Sequence, residues 1–242
     1  MASASSTREP ISDFGTNLTL PGSYYLTANL FAGTNTIDAI NIRTNPNSIT
    51  IDLNGFSIVT TNPASGFSPV GVRISGATNI TVRNGNIVGF DRGVRAEGAC
   101  YGIVLENLHV QSPTRAGLEA NGVAGNPGGL TIAMRNCIVE NVDGTGEAAN
   151  VSCIGIVLLN CTAVVDSCVV RHIVSVGTGA GTCIYAASTT NSFINNNFMS
   201  DAEVGLSISG GGTNRAFYRN NLTSSCTTPF SVNGGTDRGG NF

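Results

Sequence analysis

Short apolar runs, broken at regular points by asparagine and glycine, follow one another along most of the chain. Residues 79–98 read NITVRNGNIVGFDRGVRAEG and hold three such runs with almost no spacer between them. Runs that alternate apolar and polar residues over a few positions predict β-strands, and no window has a sustained helical period. The missing spacers predict a chain that turns corners without leaving its sheet.

The first run of each cycle recurs along the sequence. The copies are AINIR at 39, VGVRI at 70, RGVRA at 92, AGLEA at 116, IGIVL at 154, CIYAA at 183, VGLSI at 204 and PFSVN at 229. Neighbouring copies lie 21 to 25 residues apart in four cases and further apart where glycine-rich insertions intervene. A period in this range indicates a solenoid, here of about eight units.

Each unit carries a second apolar run, and an asparagine falls at the same point after it. These asparagines are Asn84, Asn107, Asn136, Asn196 and Asn220, while Ser167 interrupts the row and Asn54 is displaced by about one residue. Asparagine tolerates a left-handed backbone and offers an amide donor and an acceptor to its copy in the next coil. The pattern therefore predicts an asparagine ladder.

The coil length, the corner asparagine and phrases such as IDLNGFSI and ITVRNGNIVGF resemble the right-handed parallel β-helix of pectate lyases, polygalacturonases and related carbohydrate-binding and sugar-hydrolysing proteins. The resemblance covers roughly residues 38–233. It implies an all-β, right-handed parallel β-helix of about eight coils, with residues 38–242 as a single domain. Residues 14–37, with Pro-Gly between two alternating segments, predict an N-terminal β-hairpin cap, and residues 1–13 a flexible lead-in.

Charge and hydropathy limit the classes of partner that the chain is expected to bind. Charged residues make up only 11% of the chain, and all twelve basic residues are arginine. The net charge of −3 gives no overall attraction to nucleic acid or to an anionic membrane, so neither is predicted as a partner. No apolar run approaches the roughly 18 to 20 residues that span a bilayer. The resemblance implies an extracellular or periplasmic protein, and we interpret MASASSTREP as a lead-in that replaces a removed signal.

Outward side chains of stacked coils form rows, and the row just before the corner asparagine alternates in sign. This row consists of Arg83, Glu106, Arg135, Asp166, Asn195 and Arg219. Opposite charges in neighbouring coils predict a solvated ladder of weak ion pairs. The row is explained without a ligand.

The first-strand row differs because three arginines follow one another. It consists of Arg43, Arg73, Arg95, Glu119, Val157, Tyr185, Ser207 and Ser231, with Arg92 and Arg115 at the corners before their coils. Like charges directly opposite one another are unfavourable, so the row predicts an anion-binding strip, walled by the insertions near Glu119 and Val157. The alternative is that these side chains splay into water and that acids on loops neutralise them.

The resemblance to pectate lyases implies a substrate groove along this face, calcium bound by acidic residues, and a basic side chain that removes a proton. Glu119 is the one acid of its row, with Asp91, Glu97 and Glu147 as neighbours, whereas calcium takes about six to eight oxygen ligands. We therefore predict no required cofactor and no metal ligands, with calcium left open. The candidate catalytic residues are Glu119, Arg95 and Tyr185; the candidate substrate-binding residues are Arg43, Arg73, Arg92, Arg95, Arg115 and Tyr185.

Other catalytic patterns are missing from the sequence. The Gly-His-Gly segment and clustered aspartates of polygalacturonases do not occur, and His109 and His172 are predicted to be structural or exposed. Seven cysteines without a CxxC pair predict buried thiols and no zinc site. Cys137 and Cys168 align in successive coils, which leaves open a stacked disulfide or a pair of thiols.

These patterns together predict an extracytoplasmic protein that binds an acidic polysaccharide along the first-strand face, with eliminative cleavage left open. The alternative is a structural, adhesive or spike-like solenoid without catalytic activity. The C-terminal stretch NGGTDRGGNF offers no amphipathic cap, so this end predicts a homo-oligomer.

Overall fold

The computed structural model describes residues 8–43, 46–63, 68–126, 128–145, 151–210 and 216–242. Over these residues the chain is all-β: 23 strands form one sheet that winds into a solenoid, and strands of successive coils pair in parallel. The predicted parallel β-solenoid is confirmed. The described residues hold no helix, and so none that is long and apolar enough to cross a membrane.

Face A, the first-strand side of the solenoid, is built from nine strand segments. They are β2 (Thr16–Leu18), β5 (Ile40–Ile42), β8 (Val70–Ser75), β10 (Arg92–Glu97), β12 (Ala116–Asn121), β15 (Ile154–Leu159), β18 (Thr182–Ala187), and the C-terminal halves of β20 (Phe198–Ser209) and β22 (Leu222–Val232).

Face B follows face A in each coil. Its strands are β1 (Glu9–Ile11), β3 (Gly22–Leu26), β6 (Asn47–Asp52), the N-terminal halves of β9 (Thr78–Val88) and β11 (Cys100–Gln111), β13 (Leu130–Arg135), β16 (Thr162–Asp166), β19 (Ser192–Asn195), β21 (Ala216–Arg219) and β23 (Thr236–Asp237).

Face C closes the coil. Its strands are β4 (Leu30–Asn35), β7 (Ser57–Pro63), the C-terminal halves of β9 and β11, β14 (Ile138–Asp143), β17 (Val169–Val174), and the N-terminal halves of β20 and β22. Because eight segments stack in this column, the chain makes about seven full turns between the first and the last, close to the eight coils predicted.

The three faces enclose one apolar core. Residues alternate along each strand, so that Val94 and Ala96 are fully buried while Arg95 between them points outward. Equivalent inward residues stack in register from coil to coil, as Val72, Val94 and Leu118 do on face A. In-register pairing therefore builds columns of similar side chains that bury apolar area continuously along the axis.

Face A also carries a column of glycines, which face B does not. Gly71, Gly93, Gly117 and Gly155 occupy successive positions of this column. A Cβ atom on Gly117 would lie 2.2 Å from Cγ1 of Val139 on face C and 2.7 Å from the carbonyl oxygen of Gly155. The two faces approach so closely here that only a residue without a side chain fits.

The corner between faces B and C is turned by left-handed residues. Asn84, Asn107, Asn136, Asn196 and Asn220 have φ angles between 51° and 60°. Asn107 Nδ2 donates to Asn84 Oδ1 at 3.2 Å, and Asn220 Nδ2 donates to Asn196 Oδ1 at 3.2 Å. Where the preceding coil lacks an asparagine at this point, Asp52 Oδ1 accepts the bond from Asn84 Nδ2 at 3.2 Å. The positions predicted as a ladder therefore share one backbone conformation.

The N-terminal segment 14–37 is not the hairpin predicted from the sequence. Its strands β2, β3 and β4 lie on faces A, B and C and pair in parallel with β5, β6 and β7. Leu18, Tyr24 and Leu30 all point into the interior and are buried. The chain covers these apolar positions by turning a corner at Pro21-Gly22 instead of reversing, so the segment forms the first coil.

At the C-terminal end, the last residues of the chain hydrogen-bond to the preceding coil. Asn197, Asn221 and Asn241 form a second ladder just past the corner, in which Asn197 Nδ2 donates to Asn221 Oδ1 at 3.0 Å and Asn221 Nδ2 donates to Asn241 Oδ1 at 3.1 Å. The backbone N–H of Phe242 donates to the Asn221 carbonyl at 3.0 Å. This polar ladder lies where the sequence shows no amphipathic cap, and association through this end stays a prediction.

The seven cysteines are free thiols, and six of them are buried. Cys137 and Cys168 lie at equivalent positions of successive coils, just past the corner, without a disulfide between them. Burial raises the pKa of the Cys161 thiol to about 12. The aligned pair could have formed a disulfide or remained two thiols, and the structure shows two thiols. They fill apolar columns as other small side chains do.

Candidate functional site

The outward row of face A begins with a different residue from the one predicted. Arg73 pairs in register with Asn41, because Ile40 and Ile42 of the AINIR segment both point inward. Arg43 therefore lies two residues beyond this position, past the end of β5. From Arg73 onward the register is the predicted one, through Arg95, Glu119, Val157, Tyr185 and Ser207.

The arginines of this row are paired with carboxylates. Asp38, which is 8% exposed, accepts from Arg43 Nη2 at 2.9 Å and from Arg73 Nε at 2.7 Å. Arg73 Nη1 donates to Glu97 Oε1 at 3.0 Å, and Arg95 Nε lies 3.0 Å from Glu97 Oε2. Burial by itself would lower the pKa of Arg73, but its hydrogen bonds to Asp38 and Glu97 and their charges outweigh burial and raise it.

The corner arginines are paired in the same way. Arg92 donates to both Asp91 and Glu119, and Arg95 Nε lies 3.3 Å from Glu119 Oε1. Arg115 Nε lies 4.0 Å from Asp91 Oδ1. Asp91 and Glu119 are 1% and 5% exposed, so they are held inside the network rather than presented to solvent. The arginines of the predicted anion-binding strip are thus paired with acids, Asp38 and Asp91 at corners and Glu97 and Glu119 on strands. The alternative interpretation expected neutralising acids, but it also expected side chains that splay into water, whereas Arg73 and Arg92 are only 14% exposed.

A polar pocket of about 380 Å³ opens at the N-terminal end of face A. Asp38, Asn41, Arg43 and Arg73 line it together with Asn17, which is the register neighbour of Asn41 in the preceding coil. Asn41 is 8% exposed, and its Oδ1 atom has no hydrogen-bond partner among the described residues. A buried acceptor left unpaired costs about 1–3 kcal/mol, so this atom needs an explanation.

The three candidate catalytic residues are not brought together. Arg95 and Glu119 are in contact, but Tyr185 lies two strands further along the row, roughly 10 Å away. The Tyr185 hydroxyl is hydrogen-bonded to Ser209 Oγ at 2.8 Å. No base is therefore held beside the Arg95–Glu119 pair by these residues.

Metal-ligating side chains do not cluster in the part of the chain that the structure describes. Among the described residues, no three His, Cys, Asp or Glu side chains converge on a point where an ion could be held. Glu147, expected from the sequence near Glu119, lies outside the described residues.

A charged cluster on face C was not recognised in the sequence as a unit. Glu140 accepts from Gln111 Nε2 at 2.8 Å and from Arg171 Nε at 2.8 Å, and His109 Nε2 lies 2.8 Å from its Oε1. The hydrogen bond from Gln111 is the largest cause of lowering, and with Arg171 and His109 it overcomes burial and brings the pKa of Glu140 to about 2. The register places Gln111, Glu140 and Arg171 in one row, which the repeat spacing could have revealed.

Comparison with known proteins bears on the fold. No protein-family profile matches the chain, and no curated protein sequence does. The chain is similar in structure to the GH136 lacto-N-biosidase from Eubacterium ramulus, with a TM-score of 0.57 and 10% sequence identity. The match covers 97% of this chain and 63% of that protein, so the chain spans less than two thirds of its neighbour's length. At this identity the likeness concerns the fold, and it agrees with the all-β parallel solenoid described above.

Proposed function

We propose that the chain binds a polysaccharide along face A, at the pocket around Asn41. The observation that carries the proposal is the buried Asn41 Oδ1 atom, which lies in a polar pocket and has no partner among the described residues. A sugar hydroxyl is a donor of the size and polarity that would satisfy this acceptor. The similarity in fold to a lacto-N-biosidase supports a sugar as the ligand.

The groups that surround Asn41 suit hydroxyls better than carboxylates. Asn17 and Asn41 line the pocket with side-chain amides, whereas the Asp38 carboxylate is already occupied by Arg43, Arg73 and the Val70 N–H. The acidic polysaccharide predicted from the arginine row requires cations that are free to pair with it. Since Arg73 and Arg95 already pair with Asp38 and Glu97, we propose that face A recognises the hydroxyls of a glycan and not its charge.

Binding, rather than cleavage, is the activity that this geometry supports. Elimination from a uronate needs a base beside the acidified carbon, and Tyr185 is too far from Glu119 to act there. Hydrolysis needs two carboxyl groups on either side of the scissile bond. Glu97 and Glu119 are close to each other, but Arg95 stands between them and pairs with both.

The experiment is affinity electrophoresis against two groups of glycans at equal concentration. Neutral probes are galactan, arabinoxylan and oligosaccharides that contain lacto-N-biose; acidic probes are polygalacturonate, alginate and hyaluronan. Asn41→Leu, which keeps the branched shape of the side chain and removes the acceptor, should weaken retention on the bound neutral glycan at least tenfold. Ser207→Ala, in the same outward row but far from the pocket, is the matched control and should bind as the parent does.

Three results would separate the alternatives. Equal retention of the Asn41→Leu variant and the parent would remove face A as the site. Retention of no probe would favour the structural or adhesive solenoid. Release of reducing ends or of an unsaturated product in the same incubation would instead make the protein an enzyme. An extracytoplasmic location, which a polysaccharide ligand implies, is checked by fractionating the source cells.

A further inference from the structure

Two phenylalanines form an aromatic platform on face B, near the C-terminal end. Phe193 and Phe217 lie in register on β19 and β21, with ring centroids 5.3 Å apart and an angle of 25° between the rings. Phe193 is 44% exposed. The equivalent positions of the preceding coils hold Thr81, Val104, Ala133 and Val164, so large rings appear only here in the row. An aromatic pair with one exposed and one partly buried ring offers a flat apolar surface to a ligand.

Two arginines flank the platform. The Arg238 guanidinium lies over the Phe217 ring, with Cζ 4.7 Å from the centroid. Arg219 follows Phe217 by two residues on the same strand and is exposed on the same face. Within the part of the chain that the structure describes, neither guanidinium lies within 4.0 Å of a carboxylate oxygen, the ion-pair distance met by every arginine of face A. Their charge is therefore available to a partner.

The arginines also end the alternation of charge along face B. The row proceeds from Arg83 and Glu106 through Arg135 and Asp166 in alternating signs, and then continues with Asn195 and Arg219. The Arg238 N–H donates to the Tyr218 carbonyl at 2.9 Å, which brings a second cation beside Arg219 in the next coil. Two unpaired like charges side by side are unfavourable unless an anion joins them.

Phe193, Asn195, Phe217, Arg219 and Arg238 line a cavity of about 430 Å³, and no acidic residue is among them. This volume lies within the range of small-ligand sites, about 300–1,000 Å³. The lining combines an apolar plane, an amide and two guanidinium groups. A pyranose ring has a C–H face that packs on an aromatic plane and a hydroxyl rim that an amide can bond, and a carboxylate is the anion that an arginine fork fits best.

We propose that this surface is a second sugar site, specific for an acidic sugar residue. The ring of the sugar packs on Phe193, its carboxylate accepts from Arg219 and Arg238, and its hydroxyls bond Asn195. The site is separate from the face A pocket, since it lies on another face and near the opposite end of the solenoid. It does not depend on the proposed function of face A.

The test uses isothermal titration with the trimer of galacturonic acid and with the same trimer after methyl esterification, which removes the charge and keeps the rings. The parent should bind the acid form at least tenfold more tightly than the ester, and added salt should weaken only the acid form. Arg219→Gln combined with Arg238→Gln should reduce affinity for the acid form to that for the ester. Phe193→Thr, which introduces the residue type found at Thr81 of the same row, should weaken both forms at least tenfold.

Arg135→Gln, which removes a charge from the same row of face B outside the cavity, is the matched control and should bind the acid trimer as the parent does. Because the substituted side chains of face B are partly or largely exposed, the urea midpoint of each variant should match the parent and exclude misfolding. Equal affinity for acid and ester, or unchanged affinity in the double arginine variant, overturns the proposal. Failure to bind any of the galacturonate, guluronate and glucuronate trimers overturns it as well, whatever the outcome for face A.

Discussion

Faces A and B are built from the same kind of parallel strand, and both carry arginines in outward rows, but the arginines at the C-terminal end of face B have different partners from those of face A. On face A every arginine of the row and its corners pairs with Asp38, Asp91, Glu97 or Glu119. On face B, the Arg238 guanidinium packs on an aromatic ring. The difference shows that a count of positive charges does not locate an anion site; what decides is whether carboxylates from neighbouring turns reach those charges.

The largest expected effect contrasts the glycine column of face A with the open surface of face B. Gly117→Val should lower the free energy of unfolding by about 3 kcal/mol or more, at the upper end of overpacking costs, because both Val139 and the Gly155 carbonyl would have to move. Ala133→Val, which adds the same kind of methyl groups to an outward position of face B, should change it by less than about 0.5 kcal/mol. Urea titration measures both, and similar losses would show that the two faces are packed alike.

The second prediction compares the paired with the unpaired arginines. Asp38→Ala should lower the free energy of unfolding by about 3 kcal/mol, because it leaves Arg73 half-buried without this partner and removes the acceptor of the Val70 N–H. Arg219→Ala should lower the free energy of unfolding by less than about 0.5 kcal/mol, since no ion pair within the described residues is lost. Equal stability losses in urea would mean that the face A network contributes no more than an ordinary surface charge.

Face C supplies a third environment, in which one acid is bound by several donors. The folded-state pKa of Glu140, about 2, lies below its ordinary value of 4.5. The stabilisation is therefore fully present above pH 4.5 and is lost as the pH falls toward 2. We expect a loss of about 1–2 kcal/mol over this interval, reduced by water that screens a surface cluster.

The measurement is a set of urea midpoints between pH 6 and pH 2.5 for the parent and for Glu140→Gln. The variant should be less stable at pH 6 and should lose less stability on acidification. Glu106→Gln, at a more exposed position of face B, is the control and should follow the parent. A parent curve that stays as flat as that of the variant would contradict the role given to Glu140.

The smallest effect concerns Tyr185, the aromatic residue of face A that the sequence predicts to contact a sugar. Tyr185→Phe should lower the free energy of unfolding by about 0.5–1 kcal/mol through loss of the hydrogen bond to Ser209. If the ring provides the contact with the sugar, this variant should retain the glycan as the parent does. Tyr185→Ala should then reduce retention on the neutral glycan. Retention that is unchanged in both variants would confine the face A site to the Asn41 pocket.

Much of the fold could be read from the sequence because solenoid coils repeat their constraints. The asparagine at each corner marks a left-handed residue, and the alternating runs mark the strands between corners, so pairing partners such as Arg95 and Glu119 follow from alignment. The first coil was not predicted because Pro-Gly is compatible with several kinds of turn. The turn that forms is the one that buries Leu18 and Leu30 in a single interior.

The site could be predicted only in part. Arg43 was misplaced by two residues because the short strand β5 gives little pattern for alignment, whereas Ile40 and Ile42 fix Asn41 as the outward residue. The carboxylates Asp38 and Asp91 lie at corners, where the alternation that predicts side-chain direction ends. The face B platform was readable in principle, since the segments SFIN and AFYR align with Phe193 opposite Phe217.

The in-register columns have a mechanical consequence. Each coil is hydrogen-bonded only to the coil before it and the coil after it, so a force applied to one end loads one coil's bonds at a time. At the C-terminal end most of the side chains of β22 are exposed, and β23 has only two residues. Pulled from Phe242, the chain would unwind in discrete steps toward its N-terminus, and on release each remaining coil would serve as the template on which the next is rebuilt.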